Sequence, residues 1–168
     1  MTASPDSWLL LIVSLPTARA TARMRIWRAI KAIGCAALRD GVYLLPARAE
    51  HAAQLNELAD ETLQENGQAW VLRVQAGDAA EDAAYRALFD RTPDYAEWLA
   101  ELSEARKTLP DLPTAERNRL LRRHARAYEA IRKIDFFSNE ATVRADAQWR
   151  DFAAAAEATH SPGEPRAA

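Results

Sequence analysis

The sequence predicts an α+β protein in which a ferredoxin-like βαββαβ module is followed by an α-helical C-terminal extension. Three observations carry this. Within the first 75 residues, short apolar runs alternate with segments of helical periodicity in the order strand, helix, strand, strand, helix, strand, the split βαβ arrangement. From Ala79 onwards the remaining periodicity is helical. Five glycines and eight prolines, in a chain of 168 residues that is 49% hydrophobic, favour many helices over an all-strand fold. The expected parts are residues 7–77 for the module, 78–158 for the helical extension and 159–168 for a disordered tail or linker.

Taken in order, Trp8-Leu-Leu-Leu-Ile-Val-Ser-Leu15 is short and continuously apolar, the pattern of a central strand covered on both faces. Arg19 to Ile33 places Ala22, Ile26, Ala29, Ile30 and Ile33 within about 100° of arc at ~100° per residue, an amphipathic helix with Trp27 at the edge of its core face. Gly34 ends it. Cys35 to Pro46 contains Asp40-Gly41, a turn pair that divides it into strands at 36–39 and 42–46. Ala49 to Asn66 is helical again, with Ala52, Leu55, Leu58, Ala59, Thr62 and Leu63 inward and Asn66-Gly67 as the stop. Gln68 to Gln75, rich in Trp70, Val71, Leu72 and Val74, is the fourth strand of an antiparallel sheet with helices on one face. Beyond it the chain reads as three helical pieces, with interruptions at Thr92-Pro93, between Pro110 and Pro113, and near Phe136 to Asn139.

The one cysteine, Cys35, excludes an internal disulfide framework and multi-cysteine zinc sites, and fits a reduced cytoplasm. The run from Trp8 to Leu15 follows Asp6 rather than a basic segment and meets Pro16, so neither a signal peptide nor a membrane span is expected. A net charge of −2 argues against nucleic acid only until it is resolved along the chain. Residues 1–48 hold seven Lys/Arg and two acids, whereas 49–112 hold five and fourteen. Residues 113–135 return to seven against three, and 136–168 hold three against five. Two basic blocks flank an acidic one.

On the first helix Arg25, Arg28 and Lys31 point away from the apolar face, and Arg19 and Arg23 sit at its start, where the helix dipole disfavours cations. A charge placed against local stability is a reason to look for function. Guanidinium forks suit phosphate because they donate paired hydrogen bonds and stay charged. The competing reading is a solvated basic face, and this one helix does not separate the two. A second stripe adds weight: in the helix from Thr114 to Asp135, Leu120, Ala127 and Ile131 face inward while Arg119, Arg122, Arg126 and Lys133 share about 60° of the opposite side.

Other candidates read as structural. His124 lies on the inward face beside Leu120, Tyr128 and Ile131, a core histidine rather than a metal ligand. His51 and His160 read as surface residues, and Cys35 as buried and inert. Trp70, Trp98 and Trp149 read as packing anchors, with base stacking as the alternative. Glu61, Glu65, Glu97, Glu101 and Glu104 have the spacing of a solvated face. No Walker loop, G-x-S-x-G, H-E-x-x-H or paired-carboxylate constellation occurs, so no catalytic residue, metal site or cofactor is expected.

With Trp8-Leu-Leu-Leu-Ile-Val-Ser-Leu-Pro, Thr21-Ala-Arg-Met-Arg-Ile-Trp-Arg-Ala-Ile-Lys-Ala-Ile-Gly, Leu38-Arg-Asp-Gly-Val-Tyr-Leu-Leu-Pro and Lys133-Ile-Asp-Phe-Phe, the chain resembles the N-terminal domain of the ChrB chromate-resistance proteins. That resemblance implies a chromate-responsive transcriptional regulator whose DNA-binding residues here are Arg19, Arg23, Arg25, Arg28, Lys31 and Arg39. Longer members of the family add a C-terminal domain thought to sense chromate, so chromate is expected to act through a sensing domain absent from this chain. The strand, Arg-rich helix and Gly-Val-Tyr arrangement is also similar to the Cas2-like module of CRISPR adaptation proteins and of PaaX-like phenylacetate-pathway repressors. This implies a homodimer that holds nucleic acid. Cas2-type nucleases carry a metal-binding Asp at the end of the first strand, where this chain reads Ile12-Val-Ser-Leu15, so the nuclease reading loses its main support.

The expectation is therefore a non-enzymatic, cytoplasmic regulator that binds double-stranded promoter DNA as a homodimer, without a membrane partner. Arg119, Arg122 and Arg126 assist the first helix. The first rival is an interaction module whose basic helix docks on an acidic partner or on residues 78–104 of the same chain. A Cas2-like metal-dependent nuclease is the second.

Overall fold

A computed structural model describes residues 7–158, so the expected tail at 159–168 and His160 lie outside the described residues. The described chain divides between Asp90 and Arg91 into two compact units. The first runs β1 (Ser7–Ser14), α1 (Ala20–Ile33), β2 (Ala36–Arg39), β3 (Val42–Pro46), α2 (Ala49–Gln64), β4 (Gln68–Gln75) and α3 (Ala79–Ala87). Its four strands form one antiparallel sheet in the order β2-β3-β1-β4, which puts the most apolar strand in the interior.

Register fixes which side chains share a face. Leu9 is opposite Leu45 and Leu11 opposite Tyr43, while Leu10 lies between Leu44 and Leu72, and Ile12 between Val42 and Trp70. Directly opposed residues of antiparallel strands project to the same side. Leu9, Leu11 and Leu45 are buried beneath α1 and α2, whose inward rows are Ala22, Ile26 and Ile30 on α1 and Leu55 and Leu58 on α2. The opposite face is covered at its Trp8 end by α3. Trp8 stacks on Phe89 at 5.8 Å, meets Tyr85 edge-on, and donates its indole N–H to Asp82 Oδ1 at 2.9 Å. Arg86 holds the other oxygen of Asp82, and Asp78 caps the helix by accepting from the Glu81 N–H. Residues 79–89 therefore pack with the sheet, where the sequence reading had grouped them with the helical extension.

Four helices follow β4, the number that the three expected interruptions leave rather than the three pieces counted: α3, then α4 (Thr92–Thr108), α5 (Thr114–Lys133) and α6 (Glu140–Ala158) in the second unit. Each expected interruption marks a boundary. Thr92-Pro93 is the first turn of α4, where a proline loses no hydrogen bond. Pro110 sits in a 3-10 turn, and Pro113 precedes α5. The core of this unit is Tyr95, Trp98, Leu102, Leu109, Ala145 and Phe152. At the break between α5 and α6, Asp135 Oδ2 accepts from Tyr95 Oη at 2.8 Å and Thr142 Oγ1 at 2.7 Å, tying three helices together. This gives the Asp of Lys133-Ile-Asp-Phe-Phe137 a structural task.

Several burial expectations are corrected. His51 is buried, not surface: it shares the inward row with Leu55, Leu58 and Thr62, and its Nδ1 lies 2.8 Å from the Pro46 carbonyl oxygen. The core stripe of α2 is accordingly rotated, which leaves Leu63 55% exposed. Trp27 is 44% exposed and Trp70 50% exposed, so neither is a core anchor. Ala127 is exposed as well.

Candidate nucleic-acid interface

The helix that carries the basic row begins without help. Arg19 is its N-cap, makes no side-chain cap hydrogen bond, and no acid occupies the first turn, so the positive end of the dipole meets Arg19 and Arg23 uncompensated by local sequence. At the other end Gly34 adopts φ 91° and closes the helix onto the Ile30 and Lys31 carbonyls. Ala22, Ile26 and Ile30 clamp the inner face, which points the basic side chains outward or to the flanks.

Those side chains do not share one environment. Arg25 is directed toward α2, where its Nε donates to Glu61 and its Nη2 donates to Glu65 at 3.1 Å. Arg19 Nη1 lies 3.7 Å from the same Glu65. Hydrogen bonds to Glu61 and Glu65 raise the Arg25 pKa above its ordinary value, fixing it as a cation that is already paired. The acids that meet these two arginines are on α2. Arg23 and Arg28 make no ion pair among the described residues, and Lys31 sits 4.5 Å over the ring of Trp27. The cations on α1 without a carboxylate partner among the described residues are thus Arg23, Arg28 and Lys31.

Beside this row lies a feature the sequence reading missed. A cleft of about 620 Å³ opens between α1, the end of β1 and the β2–β3 turn, lined by Arg23, Met24, Trp27, Val13, Asp40 and Tyr43 among others. Trp27 and Met24 are half exposed on its rim. The available signal was Trp27 spaced four residues from both Arg23 and Lys31, which places an aromatic ring within the basic flank rather than in the core. Tyr43 has its phenol pKa raised, by burial first and by the Asp40 charge second.

Arg39 is exposed at the end of β2, beside a register shift between Ala37 and Arg39. Arg119, Arg122 and Arg126 are exposed on α5 in the second unit, as is Lys133. The inward side of α5 is unusual. Arg117 is only 6% exposed; its Nη2 donates to the Leu112 carbonyl at 3.0 Å, while Nε and Nη1 are buried without a hydrogen-bond partner. His124 is fully buried, edge-on to Phe152, and desolvation followed by the Arg123 charge lowers its pKa against an opposing effect of Glu101. Burial pushes the Cys35 thiol up to about 12, so it carries no thiolate near neutrality. Among the described residues no three His, Cys, Asp or Glu side chains gather as a metal site, and no helix is long and apolar enough to cross a membrane.

These features define a two-unit α/β and helical protein whose first unit presents a basic helix beside an aromatic cleft. Residues 23–160 match the family described as protein ChrB, N-terminal. The chain is 58% identical over 163 residues to protein ChrB of Cupriavidus metallidurans, an alignment that takes in 96% of this chain and 50% of that protein. The chain belongs to the ChrB N-terminal family, and it spans about half the length of the curated relative it matches.

Proposed function

We propose that this chain is the DNA-binding part of a chromate-resistance transcriptional regulator that works in the cytoplasm, and that it binds rather than catalyses. The observation that carries the reading is the row of cations on α1, Arg23, Arg28 and Lys31, kept outward by a buried Ala22, Ile26 and Ile30 face. Membership of the ChrB family supports the chromate-resistance role. The βαββαβ order and the strand order β2-β3-β1-β4 support the ferredoxin-like, Cas2-like reading of the first unit. Contacts from such a row go to the phosphate backbone, set position rather than sequence, and weaken steeply with salt. Arg39, Arg119, Arg122 and Arg126 are secondary contacts in this reading, and Arg19 and Arg25 contribute less because Glu61 and Glu65 already hold them.

The same ion pairs favour a second reading, a protein-interaction module whose basic helix suits carboxylates. Gel-shift titrations of promoter DNA against random duplex, at several salt concentrations, separate the two. The regulator reading expects binding of both duplexes at low salt, with promoter retained to higher salt; absence of any shift at low salt rejects it.

A further inference from the structure

The two edges of the sheet are built differently. β2, at one edge, is four residues long, irregular in register, and ends on Arg39. Shortness, a bulge and a charge are the usual devices that keep an edge from pairing with another chain. β4, at the other edge, is neither short nor bulged. It runs eight residues in unbroken register with β1, contains no proline or glycine, and carries one charge, Arg73. Trp70 and Leu72 stand 50% and 44% exposed on the face away from α1 and α2, continuing the half-buried row of Leu10 and Ile12.

From this asymmetry we infer that β4 pairs antiparallel with β4 of a second copy, joining two sheets into one of eight strands about a two-fold axis. The sequence of the strand fits itself. For both helix layers to stay on the same side, the axis must pass through a residue, and the two central choices are Val71 and Leu72. The first sets Trp70 opposite the second copy's Leu72 and Arg73 opposite its Ala69; the second sets Trp70 opposite Val74 and Arg73 opposite Val71. Either buries the exposed tryptophan against an aliphatic side chain and keeps the two arginines from facing each other.

The helix above the edge agrees independently. α2 lies against β1 and β4, and its Glu61 and Glu65 turn toward α1, where they hold Arg25. Roughly 160° around the helix, on the flank turned to the open edge, stand Ala52, Asn56, Ala59 and the 55% exposed Leu63. A small, uncharged flank on an otherwise acidic helix is what two copies of α2 need to approach each other across the axis. A foreign strand would fill the edge but leave this flank uncovered. In the pair, the helices line up as α1, α2, α2, α1. At ~10 Å per step the basic helices are about 30 Å apart, against a ~34 Å turn of duplex DNA. The dimer does not depend on the DNA reading, and its test contains no DNA.

Sedimentation of the 168-residue chain from low to high micromolar concentration should show a monomer–dimer equilibrium. Leu72→Lys and Trp70→Glu should each weaken association by about tenfold or more, with the melting of the dilute monomer unchanged, because a charge is buried in the pair. Leu38→Lys, on the blunted β2 edge, should leave it intact. To cover a variant that fails to fold, Val71→Cys and Leu72→Cys are each made in a Cys35→Ser background and oxidised. One of them should yield a disulfide-linked dimer, and which one reports the register. A chain monomeric at every concentration, a dimer indifferent to both edge variants, or no crosslink at either position overturns the inference.

Discussion

His124 shows how a single side chain ties stability to pH. It is enclosed by α5, Phe152 and the second unit's core, and desolvation and the neighbouring Arg123 lower its pKa while Glu101 acts the other way. The unfolded chain therefore binds a proton more readily than the folded one. Stability from this group is fully present above the unfolded value of 6.5 and is lost as pH falls through the lower folded value. Thermal melts from pH 7.5 down to 5 should show the second unit losing stability on the acid side, and His124→Gln should flatten that dependence. An unchanged slope in the variant would assign the acid sensitivity to other groups. At this scale the sequence was legible where a helical wheel suffices: His124 inward, and Arg28 and Lys31 outward. It was not legible for Arg25 or Arg117, because whether an arginine is paired or orphaned is decided by α2 in one case and by the turn at Leu112 in the other. His51 escaped for a related reason: its hydrogen bond is to the Pro46 carbonyl, a partner no periodicity reveals.

Among elements, the β2–β3 turn sets both the sheet and the cleft. Gly41 has φ +76°, and a Cβ there would lie 2.7 Å from the Val13 carbonyl oxygen, which belongs to the strand the turn crosses. Gly41 also accepts from the Val13 N–H at 2.8 Å, so the turn is stitched to the end of β1. Gly41→Ala should cost about 1–3 kcal/mol, through a strained positive φ and a backbone clash. A denaturant titration measures this, and a loss within error would mean the turn relaxes freely. The Asp40-Gly41 pair was read correctly from sequence because turn chemistry is local. Strand positions and helix breaks were equally local, and they fell where proline, glycine and periodicity placed them. The rotation of α2 about its axis was not, since Ala52, Ala59 and Leu63 are as apolar as the row that is buried. The same limit hid Trp27 and Trp70: an aromatic ring marks apolar surface, and only the packed neighbours decide whether that surface is covered.

For the molecule as a whole, the proposed DNA-binding role turns the charge segregation along the sequence into a question of which unit would make the contact. The α1 row and the α5 row sit in different units, so each can be removed without touching the other's core. Every phosphate neutralised on duplex DNA contributes about −0.9 to the slope of log K against log salt. If the first unit carries the contact, replacing Arg23, Arg28 and Lys31 together by alanine should reduce the slope by about 2 to 3 and weaken promoter and random duplex alike. Arg25→Ala alone should change it by much less than one, because its guanidinium already serves Glu61 and Glu65. The equivalent removal of Arg119, Arg122 and Arg126 should leave a smaller deficit. A larger loss from the α5 variant than from the α1 variant, with both melting as the parent does, would move the principal contact to the helical unit and reduce α1 to a solvated face.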